Sequence, residues 1–173
     1  MRFVYCTYER HASRILDIFN EVIVNSTALF DYQPRSPESM IGWFAAKQQH
    51  QFPVVGYEDE RGHLLGFATY GRFRAWPAYK YTVEHSIYIH QDHRGKGIGH
   101  QLLQELIKEA QRQQYHVMIG GIEATNTGSI ALHEALGFTH AGTINQAGYK
   151  FGRWLDLRFY QLILPTPQHP TED

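Results

Sequence analysis

The chain has 173 residues, 43% hydrophobic and 19% charged, with a formal net charge of −1. Length and composition are those of one folded domain with a real core. The near-neutral balance excludes a general binder of nucleic acid or anionic membrane, since both need a basic field. No apolar run approaches the ~20 residues of a membrane span. The N-terminus has no charged-then-apolar leader pattern, so the cytoplasm is the expected location. Cys6 is the single cysteine, which leaves no internal disulfide and no CxxC knuckle. Within Phe3-Val4-Tyr5-Cys6 it reads as a buried strand thiol. Eleven histidines include His85, His90, His93 and His100 close together, but none forms a His-Glu-x-x-His pair on a predicted helix. No metal is expected.

In chain order, Arg2 to Thr7 reads as a strand, and Glu9 to Val24 carries a helical stripe of Ile15, Leu16, Ile18, Phe19, Val22 and Ile23. Phe30 to Pro34 is a loop with two aromatics. Ser36-Pro37-Glu38 has the cap, first-turn proline and acid of a helix start, and that helix runs to Gln49. Phe52-Pro53 marks a break before a strand over Val54 to Glu58. Glu60-Arg61-Gly62 is a turn, and His63 to Arg74 completes a hairpin. A second aromatic loop, Ala75 to Lys80, precedes a central strand, Tyr81 to His90. A glycine turn and a helix over Gly97 to Arg112 follow, with Ile98, Leu102, Leu103, Leu106, Ile107 and Ala110 at helical spacing. Tyr115 to Glu123 is a strand, Thr127 to Leu136 a short helix capped by Gly137, and Phe138 to Ile144 and Arg153 to Leu164 close the sheet. Residues 165–173, with three prolines, read as a disordered tail behind a single domain over 1–164. The fold class is mixed α/β with a largely antiparallel sheet flanked by helices.

The glycine turn carries the strongest signal. His93-Arg94-Gly95-Lys96-Gly97-Ile98-Gly99-His100 joins the central strand to the long helix. Alternate glycines let the backbone approach a ligand closely, and the free N–H groups and helix dipole converge on one point. That is a phosphate site. The spacing fits neither a Walker A loop nor a dinucleotide fingerprint.

Arg94-x-x-Gly97-x-Gly99, then Asn126-x-x-Ser129, then Leu136-Gly137-Phe138 resembles the GCN5-related N-acetyltransferases over nearly the whole chain. Thr82 to Ile89, Leu132 to Phe138 and Gly148 to Asp156 are similar to the branch that acetylates phosphinothricin and methionine sulfoximine. The resemblance implies acetyl-CoA as co-substrate and direct transfer to the α-amino group of an amino acid or analogue. It also implies a homodimer with the substrate site near its interface. It places the pyrophosphate on Arg94, Gly95, Lys96, Gly97, Ile98, Gly99 and His100, and the pantetheine on a splayed strand at about Ser86, Ile87, Tyr88 and Ile89, with Asn126 and Ser129.

Transfer of acetyl to an amine that arrives as an ammonium requires a base. Glu84 corresponds to the base of the family; read without that, it is a salt-bridged glutamate. A carboxylate beside an apolar run has a raised proton affinity. His133 stands where many relatives carry a tyrosine acid. It could protonate the thiolate, relay the amine proton or bond CoA, or it could cover the helix–sheet seam. Asn126 is also a natural helix cap. Arg72 and Arg74, two apart on one strand, share a face and suit capture of a carboxylate, although exposed strands often carry such pairs. Phe30, Tyr32 and Lys150 are further candidates for the amine pocket.

Overall fold

A computed structural model describes all 173 residues. Seven strands form one sheet in the order β1-β2-β3-β4-β5-β7-β6. They are β1 (Arg2–Tyr5), β2 (Val54–Glu58), β3 (Leu64–Arg72), β4 (Thr82–Ile89), β5 (Val117–Glu123), β6 (Thr139–Lys150) and β7 (Arg153–Ile163). Every neighbouring pair is antiparallel except β4 and β5. The helices are α1 (Tyr8–Asn25), α2 (Ser39–Gln49), α3 (Ile98–Arg112) and α4 (Thr127–Ala135). The expected mixed α/β class, with a largely antiparallel sheet, is what the chain adopts.

Two cores form, one on each face. On one, Leu102, Leu103 and Leu106 of α3 pack on Tyr70 of β3 and Val83 of β4. On the other, Ile15 and Phe19 of α1 and Met40 of α2 pack on Phe67 of β3. The parallel pair needs a crossover, and α3 supplies it. The glycine turn therefore sits at the carboxyl end of β4, where α3 begins. No helix is long and apolar enough to cross a membrane.

Element ends differ from the sequence reading by a residue or two, with two larger differences. Helix α2 starts at Ser39, later than expected, because Ser36 and Pro37 form a preceding turn in which the Ser36 hydroxyl accepts from Ser39 N–H. Strand β6 runs on to Lys150 through two irregularities in register, near Gly142 and between Ile144 and Gly148. Residues 145–152 carry no element in the sequence reading, yet the register resumes at Gly148 and the chain reverses at Phe151 and Gly152, which both hold positive φ. That is the backbone of a two-residue hairpin turn. Residues 165–173, read as a disordered tail, hold neither helix nor strand. They are tied to the sheet by Thr166 Oγ1 to the Tyr115 carbonyl and by Thr171 N–H to the Tyr81 hydroxyl, at 2.9 Å.

Glu58 is fully buried at the sheet end and accepts from Arg2, Arg10 and His11 at 3.0–3.2 Å. His11 Nδ1 accepts from Thr7 N–H, so its Nε2 carries the proton donated to Glu58. Burial pushes the Glu58 carboxyl up, but the bonds from His11 and Arg2 and the charges of Arg10 and Arg2 outweigh it and hold its pKa below 4.5. A depressed carboxylate contributes stability above its unfolded pKa and loses it as pH falls through the folded one. In urea titrations, the wild type is expected to exceed Glu58→Gln in stability at neutral pH and to lose that margin below pH 4.5. A margin independent of pH would remove Glu58 from the acid transition.

Candidate active site

Strand β4 pairs with β3 along its whole length, Val83 to Ile89. Its ladder with β5 covers only Thr82 to Glu84. Beyond Glu84 the two strands part, and backbone groups of β4 that would have bonded β5 are left for something else. The cleft so opened meets a groove of about 660 Å³ lined by Ile87, Tyr88, Ile89, the turn from His93 to His100, Asn126 and Ser129. Gly95 and Gly97 hold φ of 74° and 77°. A side chain would be strained at either, which accounts for both glycines. Asn126 Oδ1 caps α4 by accepting from Ser129 N–H at 3.2 Å. Arg94 pairs with Glu21 and donates to the Ile89 carbonyl, while Lys96 donates to the Asp92 carbonyl at 2.9 Å. Both side chains shape the turn, so the anion-binding capacity lies in the backbone N–H groups and helix end.

Glu84 lines a pocket of about 330 Å³ beside the cleft, with Ala28, Leu29, Phe30, Gly121, Glu123 and Leu157. The pocket shares Ala28 and Tyr88 with the groove. The carboxylate is half-buried and has neither an ion-pair nor a hydrogen-bond partner in the protein, so the salt-bridge reading falls. Burial alone raises its pKa. A β-carbon on Gly121 would stand in ordinary contact with Glu84 Oε2, at 3.5 Å.

On the opposite face of β4, His85 and His133 meet with Nε2 atoms 2.8 Å apart, at 5% and 2% exposure. His133 Nδ1 lies 2.7 Å from the Ser129 carbonyl. Both rings line the β4–β5 cleft with Ser86, Gly120 and Asn126. His133 pKa is lowered by burial, against a smaller opposite effect of its bond to Ser129. His85 is lowered further, to about 3, by burial and then by the neighbouring His133.

The model of the acetyltransferase (GNAT) family matches residues 15–138. The chain belongs to the GNAT acetyltransferase family. An L-methionine sulfoximine/L-methionine sulfone acetyltransferase of Pseudomonas paraeruginosa is 45% identical over 157 residues, covering 90% of this chain and 91% of the relative. A solved structure from Acinetobacter baylyi superposes with a TM-score of 0.98 at 62% identity, covering 99% of this chain and 97% of that one. A GNAT superfamily phosphinothricin acetyltransferase from Sinorhizobium meliloti, solved in complex with acetyl-CoA, has a TM-score of 0.90 at 36% identity, covering 94% and 88%.

Not every residue expected in this acetyltransferase site converges on it. In the β3–β4 register Arg72 faces Val83, and Glu84 faces Gly71. Paired residues share a face and adjacent ones do not, so Arg72 points to the α3 side and Glu84 to the α1 side. Arg72 and Arg74 line a separate pocket of about 320 Å³ with Trp76, Tyr79 and Lys80. They are the right strand neighbours on the wrong face. Lys150 is 4% exposed and donates to the carbonyls of Ile23, Ser26 and Leu29 at 2.6–2.8 Å. All three of its protons are used, so it ties the loop after α1 rather than facing a substrate. The Tyr32 hydroxyl donates to the Tyr149 carbonyl at 2.5 Å, a second tie. Phe30 does reach the Glu84 pocket, and its ring covers Gly148, where a β-carbon would meet it at 2.7 Å. Two residues escaped the sequence reading. His85 follows Glu84 directly, so alternation places it on the other face of the strand, where α4 packs. Glu123 joins Glu84 in the pocket because β5 runs parallel to β4 and matches its face parity.

Proposed function

We propose that this chain transfers the acetyl group of acetyl-CoA to the α-amino group of a small amino acid or analogue of the methionine sulfoximine, methionine sulfone or phosphinothricin type. Transfer is direct, within a ternary complex. The observation that carries this reading is the unpaired, half-buried Glu84 carboxylate where β4 and β5 part, between the groove and the pocket. Glu84 takes a proton from the ammonium, and the freed amine attacks the thioester carbonyl carbon. The C–N bond forms, the C–S bond breaks, and the sulfur leaves as a thiolate that must gain a proton. Backbone N–H groups between Ser86 and Ile89 that point away from β3 are suited to stabilise the intermediate oxyanion. The glycine turn and the α3 N-terminus would hold the pyrophosphate, and Asn126 and Ser129 the pantetheine arm. Leu29, Phe30 and Leu157 offer apolar walls to a side chain, and Glu84 and Glu123 an acidic floor to an ammonium. His133 lines the cleft as the polar group closest in role to the family acid. A route through an acetyl-cysteine is disfavoured, because burial pushes the Cys6 thiol up to about 12 and it lies outside the site.

The working form is read as a homodimer. Ile144, Tyr149, Phe151 and Trp154 stand exposed along the β6–β7 hairpin, more apolar area than one hairpin ordinarily leaves in water. The cytoplasm is the proposed location, a compartment in which the free Cys6 thiol is at home.

Release of CoA thiol is to be measured with phosphinothricin, methionine sulfoximine, methionine sulfone, a polyamine and an aminoglycoside. Turnover confined to the three amino-acid analogues is expected. Turnover with the polycations alone would overturn the substrate class while leaving the family intact.

A further inference from the structure

We infer that His85 is a positioning residue for acetyl transfer: its ring donates to His133 and holds it neutral and in a fixed orientation in the β4–β5 cleft. The inference rests on the reading of His133 as an active-site group. The proton positions follow from three contacts. The Ser129 carbonyl can only accept, so His133 Nδ1 at 2.7 Å must carry a proton. In a neutral ring Nε2 is then a lone pair. His85 Nε2, at 2.8 Å from it, must be the donor. That leaves His85 Nδ1 unprotonated; the Ile119 backbone contact favours a proton on the ring, but burial outweighs it, and Nδ1 reaches no partner in hydrogen-bond geometry. A bare acceptor is the cheaper end at which to leave such a chain, since a buried N–H without a partner is rarer than a buried lone pair.

The surroundings are built for this pair. Phe138 packs against both rings, with centroids 5.3 Å from His85 and 5.1 Å from His133. On β5, Gly120 faces them, and a β-carbon there would stand 2.9 Å from His85 Cε1 and 3.3 Å from His133 Nε2. Only glycine admits the pair at that position without displacing a packed ring. Among the acids around the pair, Glu123 of β5 lines the same cleft, Glu84 leaves β4 on the opposite face, and Glu134, next to His133 on α4, accepts from the Tyr160 hydroxyl at 3.4 Å. Glu123 is already held by Thr125 N–H at 3.0 Å and by Arg153. No acid is bonded to either ring, and the backbone contacts at Ile119 and Ser129, which favour a proton, are outweighed by burial. Burial, not a counter-charge, sets the pair's state, and it is neutral.

In the resting enzyme His133 Nε2 has no proton of its own to give, and loss of the His85 Nε2 proton would leave an imidazolate, so the pair orders the cleft and is not the source of the thiolate's proton. Donation by His85 also favours neutral His133, so removing the donor raises the proton affinity of His133.

Long-range proton–nitrogen NMR of histidine-labelled wild type reads the tautomers directly. Two neutral rings are expected, protonated at His133 Nδ1 and at His85 Nε2, unchanged from about pH 7 to pH 8. Either ring titrating in that range, or a proton on His133 Nε2, would overturn the assignment. Two variants then separate positioning from packing. Gln places an amide N–H about where His85 Nε2 stands, whereas Leu fills the space with no donor. His85→Leu is expected to lower kcat about tenfold, the effect of one lost bond to a buried group. Its KM for acetyl-CoA should stay put, and a new ionisation should enter the pH profile as His133 begins to titrate. His85→Gln should recover most of the rate and show no such ionisation. Equal rates in the two variants would reduce His85 to a space-filler. His133→Ala with wild-type turnover would instead refute the active-site role of His133, whatever the tautomers prove to be.

Discussion

Replacing Glu84 by Gln is expected to lower kcat by about 10²- to 10⁴-fold at neutral pH, the range by which a positioned base accelerates proton transfer. Affinity for acetyl-CoA should be unchanged, because the groove that would hold it is lined by other residues. The amide keeps the size of the carboxylate and meets no broken partner, since the protein supplies none. Loss of rate therefore reports chemistry rather than folding. The pH dependence gives a second check. Burial raises the Glu84 pKa above 4.5, so the acid limb of wild-type kcat/KM is expected above that value, with activity falling as pH falls through it. In Glu84→Gln this limb should vanish, and the deficit should narrow at high pH, where free amine becomes abundant without a base. Unaltered turnover would exclude Glu84 from proton transfer.

Replacing Lys150 by Met is expected to cost roughly 3–5 kcal/mol of stability, since three carbonyls lose a shared charge-assisted donor at a buried site. The three belong to Ile23, Ser26 and Leu29, where α1 gives way to the loop that walls the Glu84 pocket. Met matches the length of the lysine stem and removes only the ammonium, so packing is nearly conserved. Urea unfolding should show the drop as a lower midpoint with the same slope. The same variant should raise KM for the amine more than KM for acetyl-CoA, because the loosened loop carries Ala28, Leu29 and Phe30. A stability loss under about 1 kcal/mol would mean that water replaces the ammonium at little cost.

The comparison between sequence and structure turns on how far each signal reaches. The glycine turn, the α3 stripe and the Asn126 cap are local, because their residues lie within a few positions and the backbone periods 2 and 3.6 bring them together. The order of strands and helices, and the central strand ending in a phosphate-binding turn, follow from the same short-range rules. Glu84 could be named from its place on that strand, and the structure adds that it stands free. Other features depend on register between segments far apart in the chain. That Arg72 and Glu84 lie on opposite faces is set by the pairing of Arg72 with Val83 across a nine-residue connection, Phe73 to Tyr81, and one residue of slip would reverse it. The end of the β4–β5 ladder at Glu84 depends on where two strands twist apart, which neither strand encodes alone. Lys150 reads as a candidate for the amine pocket until three carbonyls more than a hundred residues away in sequence enclose it. The His85–His133 contact joins a strand to a helix 48 residues later. The sequence by itself determined the family fold, the anion-binding turn and the candidate base, because each is written in contiguous residues. Only the tertiary structure decided which charged groups share a pocket and which are spent holding it, because burial and pairing are properties of distant surfaces brought together.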